Sequence, residues 1–212
     1  MPAEEYEPLC QELIQKVTRY AENKCSWSLM RNQEGVIVYQ KRSHDFPGMM
    51  FKAEGLVNGP PELIFKYIET APNSPRLEWD KRLAGVESLE VINPNITLMR
   101  SYTTAELTGI IHARDFVDLI TTVKTNDYLA NFAVSVTDKF PDQPNFIRGF
   151  NYPSGIFCFN VPGEPNQTNV LCILQPDVKG SVPGELIDAV MPSSCEEFYR
   201  CLRHFVEKKN KA

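Results

Sequence analysis

The side chains of this sequence that could act as acid, base or nucleophile show no spacing that fits a catalytic or metal site. His112 stands close to Asp115, and six cysteines are scattered along the 212-residue chain: Cys10, Cys25, Cys158, Cys172, Cys195 and Cys201. The sequence contains no CxxC pair, nucleophile elbow or phosphate-binding glycine loop. A lone loop histidine is usually only a polar surface residue, and such cysteines are typical of reduced, buried thiols. We therefore expect no catalysis, no metal site and no cofactor.

Other polar residues lie inside predicted strands. Because side chains alternate along a strand, three faces each mix polar with apolar residues: Leu129, Asn131, Ala133 and Ser135; Phe116, Asp118, Ile120 and Thr122; Thr97, Met99, Ser101 and Thr103. A buried polar group without a partner costs about 1 to 3 kcal/mol, so these faces should contact solvent, one another or a ligand. Solvent exposure explains any single face. Three of them beside an amphipathic helix also fit a lined cavity.

The elements that must position these residues form an α+β pattern in a single domain, 1–212. A helix is predicted over 5–23, and a short helix opens at Pro60 and Pro61. Strands are predicted over 27–30, 36–40, 49–57, 86–92, 96–102, 116–123, 128–136, 145–152, 155–160 and 169–174. Tight turns between several of these strands favour an antiparallel sheet.

The clearest helical pattern covers 183–208, where apolar residues recur at steps of three and four. Met191, Phe198 and Leu202 lie on its apolar face. Pro192 is expected to kink this helix or divide it in two. An amphipathic helix after a strand-rich chain needs a sheet to pack against.

Composition and net charge limit the kinds of partner, such as nucleic acid or membrane, that the protein is expected to bind. The chain is 42% hydrophobic and 23% charged with a net charge of −5, which disfavours nucleic-acid binding. No apolar run reaches the roughly 18 residues of a membrane span, and the acidic start does not resemble a signal peptide, so a cytoplasmic monomer is predicted. The basic residues that could contact an anionic membrane transiently are Lys41, Arg42, Lys52, Lys208, Lys209 and Lys211.

Several short motifs carry a family resemblance through their order and spacing. They are Trp79–Asp80, Met99–Arg100 followed by Thr103–Thr104, IIHARDFVDL over 110–119, FIRGFNYP over 146–153, GIFC over 155–158, and Gln175, Asp177 and Lys179–Gly180 within 166–180. From about residue 27 to the C-terminal helix, the chain resembles the START family of lipid-transfer domains. The likeness is greatest to the short single-domain branch that carries sterols.

This resemblance implies a helix-grip fold, in which a curved antiparallel sheet wraps the C-terminal helix around one internal lipid cavity. The steroidogenic branch has a buried carboxylate and arginine at positions matching Ser101 and Ile120, and both are missing here. The sterol branch has polar side chains at positions matching Ile120 and Asn131, so Asn131 is the first candidate to bind a ligand hydroxyl. The predicted ligand-binding residues are Asn131, Ser101, Thr103, Arg114, Asp118, Ile120 and Ala133. Arg114 and Asp115 are expected mainly to fix the base of their loop.

The apolar loop around Gly109 suggests a gate for the ligand. We expect Leu107, Gly109, Ile110 and Ile111 to lie across the last helix near Met191, Phe198 and Leu202. The predicted function is non-enzymatic transfer of one sterol-like lipid between membranes. A bile acid or oxysterol ligand is the alternative, and a cyclase- or hydrolase-like enzyme on the same fold is a third reading.

Overall fold

The computed structural model describes residues 3–105, 109, 111–136 and 140–211. Its helices are α1 (Ala3–Glu22), α2 (Pro61–Ile68), α3 (Arg76–Trp79) and α4 (Gly184–Asn210). Its strands are β1 (Ser28–Gln33), β2 (Val36–Arg42), β3 (Met49–Asn58), β4 (Leu83–Asn93), β5 (Ile96–Thr103), β6 (Arg114–Lys124), β7 (Tyr128–Ser135), β8 (Ile147–Arg148), β9 (Phe150–Asn151), β10 (Ser154–Asn160), β11 (Gln167–Leu174) and β12 (Pro176–Asp177).

One large sheet forms the frame of the molecule. Its strand order is β1-β2-β3-β11-β10-β7-β6-β5-β4, and each neighbouring pair is antiparallel. Strand β8 joins β6 in parallel, and β9 pairs with β12. The predicted α+β helix-grip architecture, with its curved antiparallel sheet and C-terminal helix, is confirmed.

Helices cover both faces of this sheet. On one face α1 buries Leu13 and Val17 against Phe132, Phe157 and their neighbours. On the opposite face α4 and α2 pack against a second apolar cluster, which includes Val38, Ala53 and Val170. Strands covered on both faces read as nearly continuous apolar runs, as β11 does.

A buried tyrosine fixes α4 to the sheet. The Tyr199 hydroxyl lies 3.0 Å from the carbonyl oxygen of Ala53 and 2.9 Å from that of Val170, on neighbouring strands. Its side chain is completely buried. Since it has one hydroxyl proton, it donates to one of these carbonyls at a time.

Of the two outcomes predicted at Pro192, a kink or a division of the helix, the division is wrong, because α4 continues from Gly184 to Asn210 with Pro192 inside it. Proline removes one helical hydrogen bond and costs about 3 kcal/mol. The hydroxyls of Ser193 and Ser194 both donate to the Val190 carbonyl, at 2.8 and 3.0 Å. Burial of the apolar face of α4 holds the two parts in one helix.

The predicted strand over 145–152 is wrong in its extent, since two short strands, β8 and β9, replace it. The break falls at Gly149, where a Cβ atom would lie 2.3 Å from the Phe116 ring. Only glycine permits so close an approach of the backbone. The break sends β9 to β12, and Asn151 then reaches the cavity described below.

Two further observations concern the cysteines and the helices. All six cysteines are free thiols, and four of them are buried: Cys10, Cys158, Cys172 and Cys195. Within the described ranges, no helix is both long enough and apolar enough to cross a membrane.

Candidate ligand-binding cavity

A cavity of about 350 Å³ lies between the sheet and α4. The sheet contributes apolar side chains from β6, β7, β10 and β11, and α4 contributes a second apolar wall. These walls include Phe116, Ile120, Ala133, Ile156, Leu174, Ile187, Val190, Met191 and Phe198. Ligand sites in proteins are typically cavities of this size, apolar with a few polar groups.

All seven predicted ligand-binding residues line this one cavity: Asn131, Ser101, Thr103, Arg114, Asp118, Ile120 and Ala133. Of the predicted gate, Ile111, Met191 and Phe198 also line it. Gly109 is described but is not among the lining residues, whereas Leu107 and Ile110 lie outside the described residues. Leu202 does not line the cavity; it is completely buried in the core beneath α4.

Asn131 forms one polar point in the cavity wall. Its amide oxygen accepts a hydrogen bond of 2.8 Å from the hydroxyl of Thr122, its cross-strand partner on β6. This contact explains how a residue with poor strand propensity is held in β7. With the oxygen engaged, the amide nitrogen is the group that Asn131 offers to a ligand as a donor.

Asp118 forms a second polar point. One carboxylate oxygen accepts from the Ser135 hydroxyl at 2.6 Å, and the other accepts from the Asn151 side-chain amide at 2.8 Å. Burial raises the pKa of Asp118 to about 6, although the hydrogen bonds from Ser135 and Asn151 oppose that rise. The carboxylate is therefore mostly ionised at neutral pH, in an apolar cavity.

Arg114 and Asp115 hold the surrounding backbone in place, as expected. The Arg114 guanidinium donates to the carbonyls of Val178 at 2.9 Å and of His112, and its backbone N–H donates to Thr103 at 3.0 Å. Asp115 points to the other face of β6, where Arg148 lies 2.8 Å from its carboxylate. Arg100 lies 3.4 Å from the same carboxylate oxygen. These contacts join β5, β6 and β8.

Charged side chains also line the cavity, and four of them form two ion pairs. Arg76 lies 2.9 Å from Asp80, and Arg82 lies 3.1 Å from Glu197 of α4. Trp79 lies between Arg76 and Asp80 in the sequence. Its ring packs edge-on against Phe198, and its indole N–H donates to the Tyr67 carbonyl at 2.9 Å. Trp79 of the Trp79–Asp80 motif thus packs α3 against α4, while Asp80 forms a local ion pair with Arg76 of α3.

Some lining residues were not predicted from the sequence. Cys172 and Cys195 line the cavity beside Tyr199, and burial raises the pKa of these thiols to about 11 and about 12. Gln175, also in the wall, donates to Asp45 at 3.0 Å and to the Pro153 carbonyl at 2.7 Å. A polar residue at the end of an apolar strand was the available signal for Gln175. The apolar periodicity of the sequence did not distinguish these cysteines from other buried apolar residues.

These features define a class of protein, a helix-grip domain with an apolar cavity between sheet and terminal helix. The model of the START domain matches residues 7–212. The chain therefore belongs to the START domain family.

Two relatives and one solved structure match this chain over most of their length. StAR-related lipid transfer protein 5 of Bos taurus is 33% identical over 198 residues, covering 92% of this chain and 93% of that protein. StAR-related lipid transfer protein 4 of Homo sapiens is 33% identical over 178 residues, covering 84% and 85%. The structure of human StAR-related lipid transfer protein 5 has a TM-score of 0.91 at 29% identity, covering 96% of this chain and 97% of that one.

Proposed function

We propose that this protein is a non-enzymatic carrier that holds one sterol-like lipid in its cavity and transfers it between membranes. The observation that carries this proposal is the apolar cavity, interrupted by a few polar groups that are already bonded to one another. Burial of about 400 Å² of apolar lipid surface contributes roughly 10 kcal/mol at 25 cal/mol per Å². Binding therefore requires few polar contacts, and those contacts select and orient the ligand. The names of the relatives support lipid transfer.

The cavity favours a carrier over an enzyme. Its thiols at Cys172 and Cys195 stay protonated because burial raises their pKa values to about 11 and about 12. A protonated thiol is a poor nucleophile. Asp118 is engaged by two donors, and no histidine is among the residues that line the described cavity.

The same cavity favours a neutral sterol over a bile acid. A bile acid carboxylate would need a cation, and it would compete with the partners that the lining guanidiniums already have: backbone carbonyls for Arg114, Asp80 for Arg76, and Glu197 for Arg82. Displacing Asp80 or Glu197 would leave that carboxylate without its cation. An oxysterol carries no such charge and remains compatible with the site.

Docking to an anionic membrane is a further part of the proposal. The predicted basic residues do not form one cluster. The amines of Lys41 and Lys52 lie 4.5 and 5.2 Å from the centre of the Trp27 ring, whereas Lys209 pairs with Glu78 at 3.2 Å. Burial lowers the pKa of both Lys41 and Lys52, and each is lowered further by a neighbouring lysine: Lys52 for Lys41, and Lys24 for Lys52. We assign docking to this aromatic and basic surface, Trp27, Lys24, Lys41 and Lys52.

The test is direct. Delipidated protein is incubated with an equimolar mixture of cholesterol, an oxysterol, a bile acid and a phospholipid, and the retained lipid is identified by mass spectrometry. Transfer of the retained lipid is then followed between donor and acceptor liposomes. We expect a sterol to be retained and transferred without chemical change. Retention of phospholipid alone, or conversion of the bound lipid into a product, would contradict the proposal.

A further inference from the structure

Asp118 is a buried carboxylate, and the side chains that hydrogen-bond to it are neutral. Its residue is 7% exposed, and it lines the cavity. In the part of the chain that the structure describes, no basic side chain forms an ion pair with it; its contacts are Ser135 and Asn151. A buried charge is costly unless it is paired or fully hydrogen-bonded.

Each of the two partners gives Asp118 one hydrogen bond. The single hydroxyl proton of Ser135 is used at 2.6 Å, and its oxygen accepts the Asn151 backbone N–H at 2.7 Å. Each carboxylate oxygen thus receives one protein hydrogen bond and can accept another. A ligand donor without negative charge, located in the cavity, would fit these acceptor positions.

Asn131 and the Asp118 cluster stand at different points along the same pair of strands. Asn131 faces Thr122 across β6 and β7, while Asp118 faces Ser135. Four residues along β7 separate Asn131 from Ser135, or about 13 Å at the rise of an extended strand. Between them lie Ile120 and Ala133, a cross-strand pair that lines the cavity. The wall therefore presents a donor, an apolar stretch and an acceptor.

We infer that Asp118 is a second ligand anchor, which accepts a hydrogen bond from a lipid hydroxyl and disfavours a carboxylate at that position. The inference rests on the proposed lipid-carrier function and adds to it the class of ligand. A lipid with a rigid apolar body and a hydroxyl at each end satisfies both Asn131 and Asp118. A lipid with one hydroxyl satisfies only one of them.

The experiment compares two ligands in two variants. The ligands are a sterol diol, hydroxylated at carbon 3 and at the end of the side chain, and cholest-5-ene, which has neither hydroxyl. Because the diol carries a hydroxyl at both ends, one of them meets Asp118 in either orientation. Asp118→Asn removes the charge and keeps the shape. Asp127→Asn removes the same charge from the exposed tip of the β6–β7 hairpin and serves as the control.

Dissociation constants are measured by competition against a fluorescent sterol. We expect Asp118→Asn to weaken diol binding about 5- to 15-fold, because hydrogen bonds to charged acceptors are roughly twice as strong as neutral ones. Binding of cholest-5-ene should change less than about twofold, and Asp127→Asn should change neither ligand. Equal weakening of both ligands would mean a purely structural role for Asp118 and would overturn the inference. No weakening of either ligand would overturn it as well.

A second measurement uses the unaltered protein, and it decides the question if Asp118→Asn does not fold. The carboxyl carbon of Asp118 is titrated by NMR with and without each ligand. A donor to the charged form stabilises it, so the diol should lower the pKa of Asp118 from its raised value of about 6. Cholest-5-ene should leave that pKa unchanged or raise it. A pKa that the diol does not lower contradicts the inference, whereas failure to bind any sterol contradicts the proposed function instead.

Discussion

Replacing Asn131 by leucine tests how the cavity selects its ligand. Leucine has nearly the size of asparagine and keeps the backbone pairing of β7 with Ile156 on β10 and with Thr122 on β6. The change removes the amide nitrogen that we expect to donate to a ligand oxygen. It also removes the acceptor of the Thr122 hydroxyl, which now lies 2.8 Å from the amide oxygen.

The magnitude follows from these two effects. Loss of a hydrogen bond to a buried ligand hydroxyl costs roughly 1 to 3 kcal/mol, or about 5- to 150-fold in the dissociation constant. Thr122 is only partly buried, so its hydroxyl can turn to another partner and the fold should lose about 1 kcal/mol or less. A sterol without hydroxyl groups should bind Asn131→Leu as well as the unaltered protein, because its apolar burial is untouched.

The assay uses Thr122→Val as a matched control. Valine removes the donor to Asn131 and leaves the amide in place, so diol affinity should stay within about threefold. Dissociation constants for the sterol diol and for cholest-5-ene are measured by competition, with thermal melting as a check on the fold. Equal losses for the two ligands would show general damage to the cavity. No loss for either would place the ligand away from Asn131 and refute the reasoning.

Three further predictions concern entry, docking and pH. Met191→Asp should slow lipid transfer several-fold with an unchanged circular dichroism spectrum, because it puts a charge among the lining residues of α4, whereas Ala189→Asp on the exposed side should not. Transfer should accelerate when the liposomes contain anionic lipid, since each basic charge near such a surface contributes about 1 kcal/mol. The double variant Lys24→Gln, Lys41→Gln should abolish that acceleration. A transfer rate insensitive to salt would exclude electrostatic docking. Burial raises the pKa of Asp118 to about 6, above the roughly 3.9 of an unfolded chain. The folded state therefore binds this proton more tightly, and between pH 7 and pH 4 the unaltered protein should gain about 2 kcal/mol relative to Asp118→Asn, measured by denaturant unfolding at each pH.

Strand alternation predicted which side chains of β6 and β7 share a face. Asp118 and Ile120 on β6, and Asn131 and Ala133 on β7, were grouped in this way by the two-residue period, and all four line the cavity. The period of a strand determines which side chains share a face. It does not determine which face encloses a ligand, and for that the family resemblance was needed.

The contacts of these residues could not be read from the sequence, because they depend on register and on breaks in strands. Asn151 reaches Asp118 only because Gly149 interrupts the predicted strand against the Phe116 ring. Thr122 is opposite Asn131 only in the observed register of β6 and β7. A shift of one residue would have turned Asn131 to the other face.

Leu202 shows the limit of helical periodicity. Met191, Phe198 and Leu202 share one apolar face, yet only the first two line the cavity. Leu202 packs in the closed core with Val36 and Val206. The apolar face is continuous along α4, but its lining of the cavity ends at Cys201, and the apolar residues that follow pack in the core. The apolar pattern of α4 does not indicate where along the helix the cavity ends.

This division of α4 bears on how a lipid enters. The hydrogen bonds that fix α4 to the sheet follow Pro192: Tyr199 to β3 and β11, and Arg203 to the carbonyls of Gly35 and Leu56 at 3.0 and 2.9 Å. Before Pro192, the helix contributes mainly apolar lining through Ile187, Val190 and Met191. Displacing the first turns would therefore break fewer contacts than displacing the whole helix, and the proline has already removed one backbone hydrogen bond at the junction. Movement at this junction would open the cavity beside Met191 while Tyr199 keeps the rest of α4 in place, so substitutions at Met191 should alter transfer rate and those at Leu202 should alter stability.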